Sequence, residues 1–303
     1  MERMKTTCHE QLFESHGVSC AGRLYRPADV ERPPIVVMAH GFGGELTWRL
    51  PSFAERFAER GLATFCFDYR TFGDSGGEPR NLIDPFKQRA DWLAAIDHVR
   101  SVSTVDSDRL GLWGTSFSGG HVIETASRVD DVSAVVAQVP FVDGLRTALK
   151  LIRTGGVEYL KNGVTAAIRD LGRAITCRDP YYVPVVGSPD EFGLLNTPDA
   201  VQGIEALIPD DEEWDNRCPA RIIPLIMLYR PLSRAGDVEA PVFIAQAEND
   251  RLLPPSTTDR LVQELDDVER VRYPIGHFDA YRGKPFEILV GRECEFLGRH
   301  LGG

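Results

Sequence analysis

The segment Arg109-Leu-Gly-Leu-Trp-Gly-Thr-Ser-Phe-Ser-Gly-Gly-His121 decides which fold this chain of 303 residues adopts. It begins as a short apolar strand, Leu110 to Trp113, and continues through a tight turn into a helix. Ser116 lies at the turn, and its neighbours on both sides are small: Gly114, Ser118, Gly119 and Gly120. Such a turn holds its central residue in a strained backbone conformation that a bulky neighbour would block. We therefore predict a nucleophile elbow that raises the Ser116 hydroxyl above the sheet edge.

The motif is Gly-x-Ser-x-Ser, whereas the usual elbow pattern ends in glycine. Ser118 is the residue that departs, and serine is the next smallest side chain of use at that position. By itself the segment is also compatible with a Gly/Ser turn that only joins a strand to a helix. A base, an acid and an oxyanion site elsewhere in the chain decide between the two interpretations.

Composition, length and net charge limit the classes of protein to which this chain can belong. The chain is 43% hydrophobic and 26% charged, which is ordinary for a globular protein, and its length allows one large α/β domain or two smaller ones. The formal net charge of -11 argues against binding to nucleic acid or to anionic membranes, because the bulk field repels phosphate. No apolar run approaches the roughly 18 residues of a membrane span, and the N-terminus lacks the apolar core of a secretory signal.

The cysteine pattern indicates the redox state of the thiols and the cellular compartment. The six cysteines are scattered, without a Cys-x-x-Cys pair or a histidine at zinc-ligand spacing. We expect free thiols and a cytoplasmic location. We also expect no bound metal or cofactor, because the serine, histidine and acid derived below supply the nucleophile, the base and the charge stabilisation themselves. The sequence leaves the oligomeric state open.

Strands and helices alternate along most of the chain, after a predicted antiparallel strand pair over 11–25. This order predicts an α/β fold with a mostly parallel central sheet and helices on both faces. The alternation stops over 141–236, which we interpret as an inserted, mainly helical cap between the core segments 1–140 and 237–303. Its predicted helices are Leu145–Ile152, Val157–Leu171 and Asp199–Leu207.

Functional residues in an open α/β sheet follow the carboxyl ends of the strands. Asp250 follows the predicted strand at 241–245, and His277 follows the predicted strand at 268–273. With Ser116 they give the chain order serine, acid, histidine of the α/β-hydrolase fold. In this interpretation His277 takes the Ser116 proton and Asp250 orients the imidazole. Glu248 is a rival for the acid.

An anionic tetrahedral intermediate also needs preorganised donors. The main-chain N–H of Phe117 is one candidate, because it opens the helix after the elbow. The N–H of Phe42 is the other, since His40-Gly-Phe-Gly-Gly44 follows a predicted buried strand. The glycines of that loop let its backbone come close to a substrate.

These motifs, together with Asp68-Tyr-Arg-Thr-Phe-Gly-Asp-Ser-Gly-Gly77, resemble the serine α/β-hydrolase superfamily over most of the chain apart from the cap. Within it they are similar to the branch of dienelactone hydrolases and fermentation-respiration-switch-like proteins, which adjoins the X-Pro dipeptidyl peptidases. The resemblance implies the α/β-hydrolase fold, a Ser116, Asp250 and His277 triad, and an oxyanion hole at Phe42 and Phe117.

We therefore expect a serine esterase that acts on a small-molecule ester, thioester or lactone through an acyl-enzyme. An acyltransferase, a C–C hydrolase or a peptidase on the same triad, and a non-catalytic binding protein, are the alternatives. The substrate-pocket candidates are His121, Tyr181, Tyr182 and Trp214, each of which is also explained by packing inside the core. His40 is expected to brace its loop.

Overall fold

Strands alternate with helices along the chain, as the sequence predicts. A computed structural model describes residues 4–302. The strands in chain order are β1 (Thr6–Ser15), β2 (Val18–Pro27), β3 (Pro34–Ala39), β4 (Ala63–Phe67), β5 (Asp106–Thr115), β6 (Val132–Gln138), β7 (Tyr182–Val183), β8 (Cys218–Pro219), β9 (Val242–Ala247) and β10 (Val268–Tyr273).

The helices lie between these strands. In chain order they are α1 (Leu50–Ala58), α2 (Pro85–Ser101), α3 (Phe117–Ala126), α4 (Gly144–Ile175), α5 (Ala200–Glu205), α6 (Ile222–Leu228), α7 (Pro255–Glu264) and α8 (Gly283–Leu301). The described residues also form two 3₁₀ helices, Pro231–Asp237 and His277–Tyr281.

The central sheet has eight strands within residues 4–302, in the order β1-β2-β4-β3-β5-β6-β9-β10. From β4 to β10 every neighbouring pair is parallel, whereas β2 runs against both β1 and β4. The predicted mostly parallel sheet is confirmed. Its parallel strands all end at the same edge, where β5, β9 and β10 carry the predicted functional residues just beyond their last residues.

Helices cover both faces of the sheet, because successive strand residues point to opposite sides. Trp113 of β5 packs on Phe53 of α1, with 4.8 Å between ring centroids, and donates a 2.9 Å hydrogen bond to Glu293 of α8. The next residue, Gly114, faces Val122 of α3. Helices α1 and α8 therefore lie on one face, and α3, with α2 beside it, lies on the other.

Between β6 and β9 the chain leaves the sheet and forms α4, α5, α6 and the short β7–β8 pair. The two helices predicted over 145–152 and 157–171 are parts of one element, α4, whose backbone breaks at Gly156 with φ 70° and ψ -163°. Glycine accepts this conformation without steric cost, which explains why the helical pattern is interrupted there. Helix α6 was not predicted.

The strand pair predicted over 11–25 is β1 and β2, which turn at His16 and Gly17, both at positive φ. The six cysteines are free thiols, as predicted. Among residues 4–302, no helix is both long enough and apolar enough to cross a membrane.

Candidate active site

Ser116 stands in the strained conformation that the elbow motif predicts, with φ 54° and ψ -116°, between β5 and α3. Its N–H donates to the Gln138 carbonyl at 2.9 Å, and its carbonyl accepts from the Phe141 N–H at 2.8 Å. These two bonds hold the turn against the end of β6. A Cβ added to Gly114 would lie 2.1 Å from the Ser118 carbonyl oxygen, so glycine is the residue that this turn admits there.

The side chain of His277 lies within hydrogen-bond distance of both Ser116 and Asp250, the two residues predicted to act with it. His277 Nε2 is 3.0 Å from Ser116 Oγ, and His277 Nδ1 is 2.8 Å from Asp250 Oδ2. Since a carboxylate only accepts, Nδ1 carries the proton and Nε2 is free to accept from the Ser116 hydroxyl. The imidazole and the carboxyl are both buried, which shields their ion-dipole contact from water.

Asp250 is fixed by its own turn. Its Oδ1 accepts from the N–H groups of Leu252 and Leu253, at 2.8 and 2.7 Å. This arrangement leaves Oδ2 for the imidazole of His277. The rival acid, Glu248, is exposed to solvent, so Asp250 is the carboxylate in contact with the histidine.

The turn that carries His277 is tied to the elbow by a hydrogen bond that the sequence did not reveal. Thr115 Oγ1 accepts from Gln138 Nε2 at 3.0 Å and forms a second hydrogen bond, of 2.6 Å, with the Tyr281 hydroxyl. Burial raises the pKa of the Tyr281 phenol well above its ordinary value, so the phenol stays neutral. Tyr281 ends the same 3₁₀ turn that His277 begins, and this spacing is the signal that sequence reasoning overlooked.

The two predicted oxyanion donors belong to neighbouring pieces of backbone. Phe117 is the first residue of α3, so its N–H has no acceptor within the helix. Gly41, directly before Phe42, comes so close to the elbow that a Cβ there would lie 3.1 Å from Ser116 Cβ. The rings of Phe42 and Phe117 meet edge to face, with 5.3 Å between centroids.

His40 braces this loop, as predicted. Its Nδ1 donates to the Gly41 carbonyl at 3.0 Å, and burial lowers its pKa to about 4, so the ring is neutral near pH 7. Its Nε2 faces Asp68 Oδ1 at 3.5 Å, and burial raises the pKa of that carboxyl to about 7. Because the peptide unit is planar and trans, a Gly41 carbonyl held toward His40 turns the Phe42 N–H the opposite way.

Ser118, the residue that departs from the elbow pattern, has a defined set of partners. Its Oγ donates to the His40 main-chain carbonyl at 2.5 Å and forms a second, short hydrogen bond with the Tyr69 hydroxyl. The Tyr69 hydroxyl accepts in turn from Trp92 Nε1 at 2.9 Å. The serine hydroxyl therefore joins α3 to the loop of Phe42, a contact that glycine could not make.

Ser116 opens on two cavities. The larger, which we call the apolar cavity, has a volume of about 150 Å³ and lies between Phe117 and helices α4 and α6. The smaller, the histidine-side cavity, has about 40 Å³ and is lined by His277, Trp48 and Phe278 among others. Both are lined by Ser116 and Phe42, so the hydroxyl lies at their junction.

His121 lies outside the lining of both cavities. It is fully buried behind Phe117, with 4.8 Å between ring centroids. Its Nδ1 lies 2.6 Å from the Tyr229 hydroxyl, and its Nε2 lies 3.2 Å from Gln88 Oε1. Burial lowers its pKa to about 3, so the ring is a neutral, hydrogen-bonded packing residue.

The three aromatic pocket candidates also pack away from the two cavities. The Tyr181 ring lies against the Arg169 guanidinium, 5.4 Å from ring centroid to the central carbon. The Tyr182 hydroxyl and Trp214 Nε1 each donate to a main-chain carbonyl, both at 3.2 Å. The Tyr181 hydroxyl accepts from the Arg169 guanidinium at 3.3 Å. Because the polar atoms of all three rings are already paired outside the cavities, we interpret the rings as packing residues.

The side chains that do line the apolar cavity are mainly aliphatic residues of α4 and α6, not the predicted aromatic ones. The apolar cavity is lined by Leu151 and Ile152 before the break in α4, by Gly163 and Val164 after it, and by Ile223 of α6. Sequence reasoning missed this wall, because an apolar residue that faces a cavity has the same periodicity as one that faces the core.

The family described as X-Pro dipeptidyl-peptidase (S15 family) matches residues 16–181, a range that includes Ser116. The chain belongs to this family of serine α/β hydrolases. The superfamily predicted from the motifs is thereby confirmed, and the match falls on the peptidases that adjoin the predicted branch.

Three individual proteins illustrate the likeness. The quorum-quenching protein AidA of Acinetobacter baumannii is 38% identical over 287 residues, 95% of this chain and 93% of its own. The polyketide transferase grgF of a Penicillium species is 26% identical, over 94% of each chain. The structure of DcsB in complex with a substrate analogue superposes with a TM-score of 0.83 at 23% identity, covering 98% of this chain and 100% of DcsB, and supports the α/β-hydrolase fold.

Proposed function

We propose that this family member is a serine hydrolase that cleaves a carboxylic ester, thioester or lactone through an acyl-enzyme on Ser116. The observation that carries the proposal is the hydrogen-bonded line from Asp250 through His277 to Ser116, which ends at the junction of two cavities. A serine hydroxyl needs an adjacent base to become a nucleophile, and a base needs an orienting group.

The proposed steps follow from this line. His277 Nε2 takes the proton as Ser116 Oγ attacks the acyl carbon, and Asp250 stabilises the imidazolium that forms. The imidazolium then gives the proton to the leaving oxygen or sulfur, and the bond to the leaving group breaks. In the second half, His277 takes a proton from water as the water oxygen attacks the acyl carbon. The bond between that carbon and Ser116 Oγ then breaks, the acid leaves, and the imidazolium returns the proton to Oγ.

In this proposal the N–H groups of Phe42 and Phe117 donate hydrogen bonds to the negatively charged oxygen of the tetrahedral intermediate. Such donors act strongly because they are already oriented before the charge appears, and one donor is typically worth about 2.7–4 kcal/mol. The hydrogen bonds of His40 and Ser118 support this assignment, since they fix the loop that carries Phe42.

We also propose that residues 141–236 act as a cap over a hydrolase core formed by 1–140 and 237–303. The support is that α4 and α6, which both belong to this segment, line the apolar cavity together with Ser116 of the core. A cap of this kind excludes water from the acyl group while the ester bond is broken.

The test combines labelling with turnover. A fluorophosphonate probe should label Ser116, and Ser116→Ala should abolish both labelling and hydrolysis of short p-nitrophenyl esters. Ser127→Ala is the matched control, because Ser127 directly follows the same helix and its hydroxyl donates to the Glu124 carbonyl at 3.0 Å, away from the site. A Ser116→Ala protein that keeps full turnover would disprove the proposal.

Acyl transfer is the second candidate, and the similarity to the polyketide transferase grgF favours it. The same acyl-enzyme would then pass its acyl group to an alcohol or amine instead of water. Hydrolysis in the presence of a graded series of alcohols separates the two: a transferase forms the new ester in preference to free acid, and a hydrolase does not.

A further inference from the structure

The two cavities that meet at Ser116 differ in the groups they can hold. Within the described part of the chain, the lining of the apolar cavity contains no charged side chain. Its polar side chains are those of Ser116, Thr147 and Tyr159, and the Tyr159 hydroxyl is already used, since it donates to the Leu194 carbonyl at 3.1 Å. The wall therefore suits a hydrocarbon chain.

Proton transfer decides which part of a substrate enters which cavity. His277 must reach the leaving atom to protonate it, and His277 lines the histidine-side cavity while it lies outside the lining of the apolar one. The leaving group is therefore directed to the histidine side. The remaining substituent of the tetrahedral carbon, the acyl chain, is directed to the apolar cavity.

The volumes set the size of each group. A cavity of about 150 Å³ that is lined by aliphatic and aromatic side chains has the size that holds a benzene molecule, so it accommodates an acyl chain of about six carbons. The histidine-side cavity of about 40 Å³ admits a small alcohol. We infer that the preferred substrates are esters with an uncharged acyl group of about six carbons and a small leaving group. This inference rests on the proposed function.

Gly163 is the residue that the geometry identifies as setting the chain length. It is buried in the wall of the apolar cavity, on α4. A Cβ at this position would lie 3.8 Å from the Phe192 ring and 3.9 Å from Ile223 Cγ2, which is ordinary contact distance. A methyl group therefore fits here without forcing the backbone to move, and a larger side chain would take up space beside Ile223, which also lines the cavity.

The experiment measures kcat/KM for the methyl esters of butanoic, hexanoic, octanoic and decanoic acids by titration of the released acid. We expect a rise on the order of 4- to 10-fold per added methylene up to hexanoate, and a fall at decanoate. Gly163→Ala should lower the preference for octanoate over butanoate. Gly163→Leu should move the optimum to butanoate and lower hexanoate turnover on the order of tenfold or more.

Gly172→Ala is the matched control, because Gly172 lies on the same helix and a Cβ there meets no atom within 4 Å. Both alanine variants should raise the unfolding temperature, since alanine favours a helix over glycine, but only Gly163→Ala should change the chain-length profile. Ile223→Ala, which widens the cavity from α6, should move the optimum toward octanoate.

The outcomes separate this inference from the proposed function. If Ser116→Ala loses turnover but the chain-length profile is flat, or is unchanged by Gly163→Leu, the enzyme is a serine hydrolase and the assignment of the cavities is wrong. If hexyl acetate is preferred to methyl hexanoate and Gly163→Leu selectively lowers its turnover, the acyl and alcohol sides are reversed. If Ser116→Ala turns over every ester normally, the proposed function itself fails.

Discussion

The hydroxyl of Ser118 donates a 2.5 Å hydrogen bond to the main-chain carbonyl of His40, and so connects the helix behind the elbow to the loop in front of it. Both residues are buried. The bond acts on the first peptide unit of the loop, and the His40 side chain acts on the next through the Gly41 carbonyl. Two successive peptide units before Phe42 are thus held in place.

Ser118→Ala should lower both stability and turnover. It leaves the buried His40 carbonyl without this donor, which costs about 1–3 kcal/mol, and it loosens the loop that presents the Phe42 N–H. We expect a lower unfolding temperature and a fall in kcat larger than any change in KM, measured by thermal denaturation and steady-state kinetics. Tyr69→Phe leaves the Ser118–His40 bond in place and should reduce kcat less. Equal effects on kcat would contradict the role given to the Ser118–His40 bond.

Asp250→Asn should be far more damaging than Glu248→Gln. An amide at 250 no longer supplies a charged acceptor for the His277 Nδ1 proton, and loss of the corresponding carboxylate in serine proteases lowers kcat by about 10⁴-fold. Glu248 is exposed, so its variant should keep the kcat of the unaltered protein. Steady-state hydrolysis of a p-nitrophenyl ester compares the two, with circular dichroism to verify folding. Comparable losses would reopen the choice of acid.

Gly114→Ala should prevent the elbow from forming. The added Cβ would lie 2.1 Å from the Ser118 carbonyl oxygen, and that oxygen belongs to the rigid first turn of α3. We expect poor folding and no labelling by a fluorophosphonate. Gly291→Ala is the control, since Gly291 lies on α8 and a Cβ there meets no atom within 4 Å. It should gain roughly 0.5–1 kcal/mol in the free energy of unfolding.

Glu293 should make stability depend on pH. Burial raises the pKa of its carboxyl to about 8, whereas an unfolded glutamate titrates near about 4.3. Between these values the folded protein keeps a proton that the unfolded chain has lost. Stability is therefore full below the unfolded pKa and falls as pH rises toward the folded pKa, by up to about 1.4 kcal/mol per pH unit.

Glu293→Gln removes this proton and should flatten the dependence of the unfolding free energy on pH between about 5 and 8. Its amide oxygen can still accept from Trp113 Nε1, which now donates to Glu293 at 2.9 Å. The buried Asp68, whose pKa burial raises to about 7, is present in both proteins, so the difference between them isolates Glu293. Identical slopes in urea denaturation series would refute the assignment.

The sequence predicted the parts of the site that depend on strand ends. Ser116, Asp250 and His277 each follow a strand that hydrophobic runs reveal, and parallel strands bring such positions to one edge. The supporting contacts could not be predicted in this way. The bond between Thr115 and Tyr281 joins residues 166 positions apart, and only the packed structure fixes that pairing.

The wall of the apolar cavity could not be predicted from the sequence, for a different reason. Tyr181 and Trp214 were pocket candidates because they are large and aromatic, yet such rings are also the best side chains for filling a core. The wall is built from aliphatic residues of α4 and α6, two helices separated by more than forty residues of chain. Periodicity finds their apolar faces but does not tell whether a face meets protein or empty space.

The break at Gly156 divides the part of α4 that lines the apolar cavity into two helical segments. The side chains before it and those after it belong to separate helical rods, and the glycine itself is exposed with open space around it. Insertion or deletion of a residue at Gly156 would rotate one helical segment of α4 relative to the other, while the strands of the central sheet would keep their register. A change of length at Gly156 would therefore reshape the apolar cavity and leave Ser116, Asp250 and His277 in place.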